Sequence, residues 1–90
     1  MIRFLDARDS GKTRKLLEEC AKTGGTFVCK HPERIVDKCH SYGIPTENIN
    51  AVSYYDDLSE CYGDVYIDEL ESFVQIWVNG KLSGYSQTIE

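Results

Sequence analysis

The chain has 90 residues and a formal net charge of −5 at pH 7. This length fits one domain with a small core, so we expect a single domain over residues 1–90. No apolar run is long enough to cross a bilayer and no secretory leader is seen, which predicts a cytoplasmic protein. Residues 46–90 hold nine acidic residues against the one basic residue Lys81. Direct nucleic-acid binding is therefore not expected.

The first half of the chain predicts two strand–helix units. Residues 2–5 form a short apolar run typical of a buried strand, and residues 12–22 have the apolar spacing of a helix. Residues 26–29 are a second β-rich run, and residues 32–43 predict a second helix with proline in its first turn. Thr23-Gly24-Gly25 is expected to end the first helix, because glycine tolerates positive φ.

The second half predicts two or three further strands and one helix. Residues 49–55 and residues 65–67 are rich in β-branched and aromatic side chains. Asn79-Gly80 is a hairpin signal, but we favour a helix that this pair caps, because apolar residues repeat there at helical spacing. Those residues are Leu70, Phe73, Val74, Trp77 and Val78. A short fifth strand is then expected within residues 82–89.

Alternating strands and helices predict an α/β fold with a small, mostly parallel sheet of four to five strands and helices on both faces. The carboxyl ends of parallel strands share one edge of the sheet, and ligands bind there. Three polar segments are expected to meet at this edge: residues 6–13, Lys30-His31 and Asp68-Glu69.

The segment Asp-Ala-Arg-Asp-Ser-Gly-Lys-Thr, residues 6–13, follows the first predicted strand and opens a helix. In that setting, backbone N–H groups and a helix N-terminus hold phosphate. Lys12 would reach the β- and γ-phosphates, and the Thr13 hydroxyl would bind magnesium. The predicted nucleotide-binding residues are Asp9, Ser10, Gly11, Lys12 and Thr13.

A second motif, Asp68-Glu69, follows the strand at residues 65–67. An acid at a strand end can hold a magnesium-bound water, which we predict for Asp68 together with Thr13 as the metal-binding residues. A neighbouring carboxylate can accept a proton from attacking water, so Glu69 is the predicted catalytic residue. The alternatives are that Lys12-Thr13 merely begins a surface helix and that Asp68-Glu69 favours the dipole at a helix N-terminus.

Together the two motifs resemble those of the P-loop NTPases, in particular the branch with a catalytic glutamate that includes RecA-like and helicase ATPase domains. Residues 6–13 are similar to Walker A, and residues 64–69 are similar to Walker B. With the predicted strands numbered in chain order, the resemblance implies the order 5-1-4-3-2. It also implies a minimal nucleotide-binding domain that takes ATP or GTP with Mg²⁺ and acts as a slow or partner-dependent NTP hydrolase.

The chain departs from this family at its first loop residue, because Asp6 stands where Walker A has its first glycine. No arginine finger or second motor domain is recognised either. We therefore expect a protein partner or a homo-oligomer to supply the missing cation for turnover.

The alternative function is a small, acidic, non-enzymatic protein that keeps the P-loop architecture and binds and inhibits another protein. Phage and mobile-element counter-defence proteins, such as anti-CRISPR proteins, are of this kind. The binding surface would then be the acidic one, which includes Asp56, Asp57 and Glu60.

The cysteines form no CxxC pair and lie in apolar stretches, so we expect buried, reduced thiols at Cys20, Cys29, Cys39 and Cys61. A zinc site is not expected, because the spacing fits no common structural pattern for its candidate ligands Cys29, His31, Cys39 and His40. Nor is Cys–His nucleophilic catalysis, since no third orienting group is indicated. Phe73 and Trp77 are expected in the core.

Overall fold

The computed structural model describes residues 11–86. Within them, the helices are α1 (Lys12–Thr23), α2 (Ile35–Tyr42) and α3 (Leu70–Ile76). The strands are β1 (Thr26–Cys29), β2 (Asn50–Ser53) and β3 (Val65–Ile67). Two short 3-10 turns cover Pro32–Arg34 and Leu58–Glu60. No helix in this part of the chain is long and apolar enough to span a membrane.

The three strands form a parallel sheet in the order β2-β1-β3. The predicted α/β class with a parallel sheet is confirmed. The predicted order 5-1-4-3-2 is wrong, because it puts residues 49–55 between the other two strands, whereas β1 lies in the middle. All four residues of β1 are buried, while the outer strand β2 begins with the exposed Asn50 and is half-buried beyond it. A strand that is buried along its whole length suits the centre of a sheet, and a strand with an exposed polar end suits its edge.

Residues 11–86 contain three strands, which is fewer than the four to five predicted for the whole chain. The first predicted strand, residues 2–5, lies outside the described residues. The fifth was placed within residues 82–89, and no strand forms over residues 82–86. The rest of that segment also lies outside the described part of the chain.

The core forms where α1 and α2 pack on the sheet. Its buried members are Leu17, Cys20, Phe27, Cys29, Ile35, Cys39 and Ile44. Three of the four cysteines are therefore buried as predicted, and all four are free thiols. The prediction for Cys61 was wrong, because this residue follows a 3-10 turn in a loop and is only half-buried.

The glycines that end the helices have different roles. Gly24 ends α1 at a φ of 68° and Gly43 ends α2 at a φ of 71°, a region that glycine enters without the clash of a Cβ. Gly25, predicted to share this role, does not have a positive φ. A Cβ on Gly25 would lie 2.6 Å from the carbonyl oxygen of Asp64. Gly25 therefore allows a close approach of two backbones.

Helix α3 differs from its prediction in two ways. It ends at Ile76 with Trp77 as its C-cap, so Asn79-Gly80 does not cap it. The Gln75 side chain instead binds the following segment, donating to the Gly80 carbonyl and accepting from the Leu82 amide. The apolar face is also more open than predicted, because the three described strands offer little surface to cover it. Phe73 is half-buried, and Trp77 is 63% exposed.

Candidate phosphate and magnesium site

The N-terminus of α1 presents Lys12 and Thr13 to one edge of the sheet. Gly11 precedes the helix with a φ of 84°, and a Cβ added there would meet nothing within 4 Å. Its carbonyl accepts the first helical hydrogen bond, from the Lys15 amide at 3.0 Å. Gly11 has no side chain that could cap the first turn, and a helix N-terminus is a setting in which backbone N–H groups can hold an anion.

Asp68 and Glu69 lie at the carboxyl end of β3. The Asp68 amide donates to the Val28 carbonyl at 2.9 Å, which extends the ladder between β1 and β3 by one residue. The chain then turns sharply at Glu69, which precedes α3. The sheet therefore fixes the backbone of Asp68, and the turn fixes the direction of Glu69.

The two predicted motifs contact each other through their side chains. The Thr13 hydroxyl donates to Asp68 Oδ1 at 3.2 Å, across 55 positions of sequence. Lys12 Nζ lies 3.3 Å from Glu69 Oε1. A lysine, a hydroxyl and two carboxylates thus form one compact group at the sheet edge, which the sequence predicted for these four residues.

Glu69 adopts a left-handed backbone conformation, with a φ of 57° and a ψ of 67°. It is the one residue other than glycine with positive φ in the described chain. Such a conformation costs about 1–2 kcal/mol for a residue with a Cβ. The neighbouring structure must offset this cost, and strain of this kind concentrates at functional sites.

Tyr54 supports this turn and was missed by the sequence analysis as a site residue. Its hydroxyl donates to the Asp68 carbonyl and lies 3.3 Å from the Glu69 carbonyl. Its ring packs edge-to-face on Phe73 of α3 with centroids 5.4 Å apart. The only sequence signal was a tyrosine at the carboxyl end of a predicted strand, a residue with an apolar ring and a polar tip.

The electrostatics of Asp68 favour a cation. Burial raises the pKa of the Asp68 carboxyl, while the hydrogen bond from Thr13 lowers it and the charge of Glu69 raises it further. The charges of Lys38 and Lys12 act in the opposite direction. Because burial dominates, the ionised carboxylate is under-solvated, and a bound cation would stabilise it.

The donor set fits Mg²⁺. The Thr13 hydroxyl and the Asp68 carboxylate are hard oxygen ligands, and magnesium keeps several of its waters when it binds through one or two such groups. The residues that hold it would be Thr13 directly and Asp68 through water. Within residues 11–86 no cluster of three or more His, Cys, Asp or Glu side chains forms a metal-binding group.

The remaining predicted residues fall into two groups. Asp9 and Ser10 lie outside the described residues. Lys30 and His31 follow β1 at the same edge of the sheet and are exposed, and His31 Nδ1 lies 3.4 Å from Glu33. The hydrogen bond and the ion pair of the site join α1 to the residues that follow β3. The ion pair of His31 is instead made within the segment that follows β1.

The candidate ligands considered for zinc occupy different surroundings. Cys39 lies in the core, whereas His31 and His40 are exposed. Burial raises the pKa of the Cys29 thiol to about 11, and the charge of Asp68 adds to this. A thiol so hard to ionise is a poor nucleophile and a poor metal ligand.

Comparison with known proteins gives no relative for the chain. No family model, no curated protein and no solved structure matches it.

Proposed function

We propose that the chain is a minimal nucleotide-binding domain of the P-loop type. The observation that carries this proposal is the pairing of Lys12 with Glu69 and of Thr13 with Asp68 at one edge of a parallel sheet. Triphosphate and Mg²⁺ require these residue types in these roles.

Each of the four residues has a distinct role. Lys12 binds oxygens of the β- and γ-phosphates, and its ammonium group balances their charge. Thr13 and Asp68 hold Mg²⁺, which when bound neutralises phosphate charge and orients the triphosphate. Glu69 acts at the γ-phosphate end of the site in this proposal, which its distance of 3.3 Å from the Lys12 ammonium supports.

Hydrolysis follows from an exchange of partners at Lys12. A phosphate that takes Lys12 releases the Glu69 carboxylate, which then orients a water and accepts its proton as the water oxygen bonds to the γ-phosphorus. The bond from the γ-phosphorus to the bridging oxygen breaks, and the nucleoside diphosphate leaves. We expect slow turnover unless a protein partner or a second copy of the chain supplies a further cation, a device that contributes about 10³–10⁵ in rate elsewhere.

Titration calorimetry with ATP and GTP in Mg²⁺ tests nucleotide binding. Lys12→Ala should weaken binding about tenfold or more, because it removes a charge-assisted contact with phosphate. Lys22→Ala is the matched control, since Lys22 lies in the last turn of the same helix and pairs with Glu19 at 3.1 Å. Absence of binding by the unmodified protein at millimolar nucleotide would refute the proposal.

Glu69→Gln separates binding from turnover. The variant keeps the size of the side chain but removes the charge that competes with phosphate for Lys12 and the group that accepts the proton. We expect equal or tighter nucleotide binding and no phosphate release above the rate without enzyme. Phosphate release at the unmodified rate would show that Glu69 is not the base.

Protein binding is a second candidate function, and one observation favours it. Helix α3 and its C-cap Trp77 expose apolar side chains: Leu70, Val74 and Trp77 have exposed fractions of 42%, 36% and 63%. These side chains belong to the acidic half of the chain, so the surface suits a partner segment that is both basic and apolar.

A further inference from the structure

We propose that Tyr54 is a positioning residue of this site: its buried hydroxyl, bonded to the backbone of Asp68 and Glu69, holds the turn that directs both carboxylates at α1. The part of this inference that concerns Mg²⁺ and nucleotide rests on the proposed function. The turn itself is present without nucleotide, so it is testable without one.

The geometry gives the Tyr54 hydroxyl two acceptors in consecutive residues. It donates to the Asp68 carbonyl, and the Glu69 carbonyl lies 3.3 Å away. These carbonyls flank the left-handed residue, so the hydroxyl bridges the two ends of the turn. The Glu69 carbonyl also accepts the first hydrogen bond of α3, from the Phe73 amide at 3.1 Å.

The position of Tyr54 is itself fixed from two sides. Its amide donates to the Cys29 carbonyl at 3.0 Å, which ties it to the end of the central strand. Its ring lies against Phe73, and only 2% of the residue is exposed. A buried hydroxyl is costly unless it is hydrogen-bonded, and phenylalanine would fill the same space without that cost. The hydroxyl is therefore best explained by the carbonyls it binds.

The Tyr54 hydroxyl stays protonated and therefore remains a hydrogen-bond donor. Burial raises the pKa of the Tyr54 hydroxyl above its ordinary value, and the charges of Asp68 and Glu69 raise it further. The group keeps its proton throughout the neutral pH range. The hydrogen bonds from Tyr54 to the backbone between β3 and α3 therefore remain while the charges on the two carboxylates change.

The test is Tyr54→Phe, which removes the hydroxyl and keeps the ring on Phe73. Tyr66→Phe is the matched control, because the Tyr66 hydroxyl also makes a hydrogen bond, at 3.1 Å to Thr23 beside the end of α1. Amide hydrogen exchange on the nucleotide-free proteins should show faster exchange at residues 68–73 in the first variant alone. Exchange at residues 68–73 equal in both variants would overturn the inference, whether or not nucleotide binds.

The second measurement compares ATP affinity with Mg²⁺ and with EDTA. If Tyr54 positions Asp68, then Tyr54→Phe should reduce the gain in affinity that Mg²⁺ gives by about three- to tenfold, the factor expected for one lost hydrogen bond. Affinity in EDTA should not change, and Tyr66→Phe should match the unmodified protein in both conditions. A purely structural role for Tyr54 would lower both affinities together.

The outcomes separate the two proposals. If the unmodified protein binds no nucleotide but exchange rises selectively in Tyr54→Phe, the proposed function fails and the role of Tyr54 in holding the turn stands. If nucleotide binds and its Mg²⁺ dependence is the same in Tyr54→Phe, the proposed function stands and the positioning role is overturned.

Discussion

The left-handed conformation of Glu69 should lower the free energy of unfolding by an amount that substitutions at this one residue can measure. Glu69→Gly and Glu69→Ala both remove the carboxylate and its pairing with Lys12, and they differ only in the Cβ that strains a φ of 57°. We expect the glycine variant to be about 1 kcal/mol more stable in urea unfolding. Glu71, in the first turn of α3, is the matched control position. There the order should reverse, because glycine destabilises a helix relative to alanine.

Equal stability of the two Glu69 variants would show that the backbone is not strained there.

The sequence predicted that Lys12, Thr13, Asp68 and Glu69 share an edge, because each follows from a short local motif in a strand–helix setting. It did not predict the conformation of Glu69 or the hydroxyl of Tyr54. Both depend on the contact between the residue that follows β2 and the residues that follow β3, which no local sequence pattern encodes.

At the scale of elements, Gly25 sets how closely the backbone before β1 can approach the backbone before β3. The Thr26 amide donates to the Asp64 carbonyl at 2.9 Å, while a Cβ on Gly25 would lie 2.6 Å from that same oxygen. Gly25→Ala should therefore destabilise the protein by about 1–3 kcal/mol, since backbone must shift to make room. Thermal or urea unfolding measures this, and Gly80→Ala, which meets nothing within 4 Å, is the control.

A Gly25→Ala variant as stable as Gly80→Ala would show that the strands separate at little cost.

The elements themselves were largely predictable: α1, β1, α2 and β3 form near their predicted bounds, because apolar spacing, proline and glycine act locally. The strand order was not. It depends on which strand buries both faces, and the fully buried β1 takes that central place while the half-polar β2 stays outside.

At the scale of the molecule, charge and apolar surface coincide in the second half of the chain. Residues 46–90 carry nine acids and one base, and the exposed face of α3 lies among them. Local periodicity identified the apolar face of α3. Its exposure was not predictable, because it depends on how much sheet is present to cover it.

A synthetic amphipathic peptide of leucine and lysine tests the second candidate function. Trp77 is the single tryptophan, so its emission reports directly on α3. We expect a saturable blue shift that weakens with salt and with Glu71→Lys, while Lys12→Ala leaves it unchanged. Glu47→Lys gives the same change in net charge elsewhere and is the control. Unshifted emission at low salt, or equal weakening by both reversals, would contradict a site on α3.

The buried cysteines have a consequence for the lifetime of the protein in oxidising solution. Burial raises the pKa of Cys20 to about 11 and also raises that of Cys39, so the folded state withholds these thiols from oxidants. When the chain unfolds, these thiols regain the reactivity of an exposed cysteine. A disulfide formed in the unfolded chain then opposes refolding, because the cysteines of the folded core are free thiols. Disulfide formation in air is slow compared with refolding, so the loss of native protein should follow the equilibrium fraction of unfolded chains, and the oxidation rate reports the free energy of unfolding.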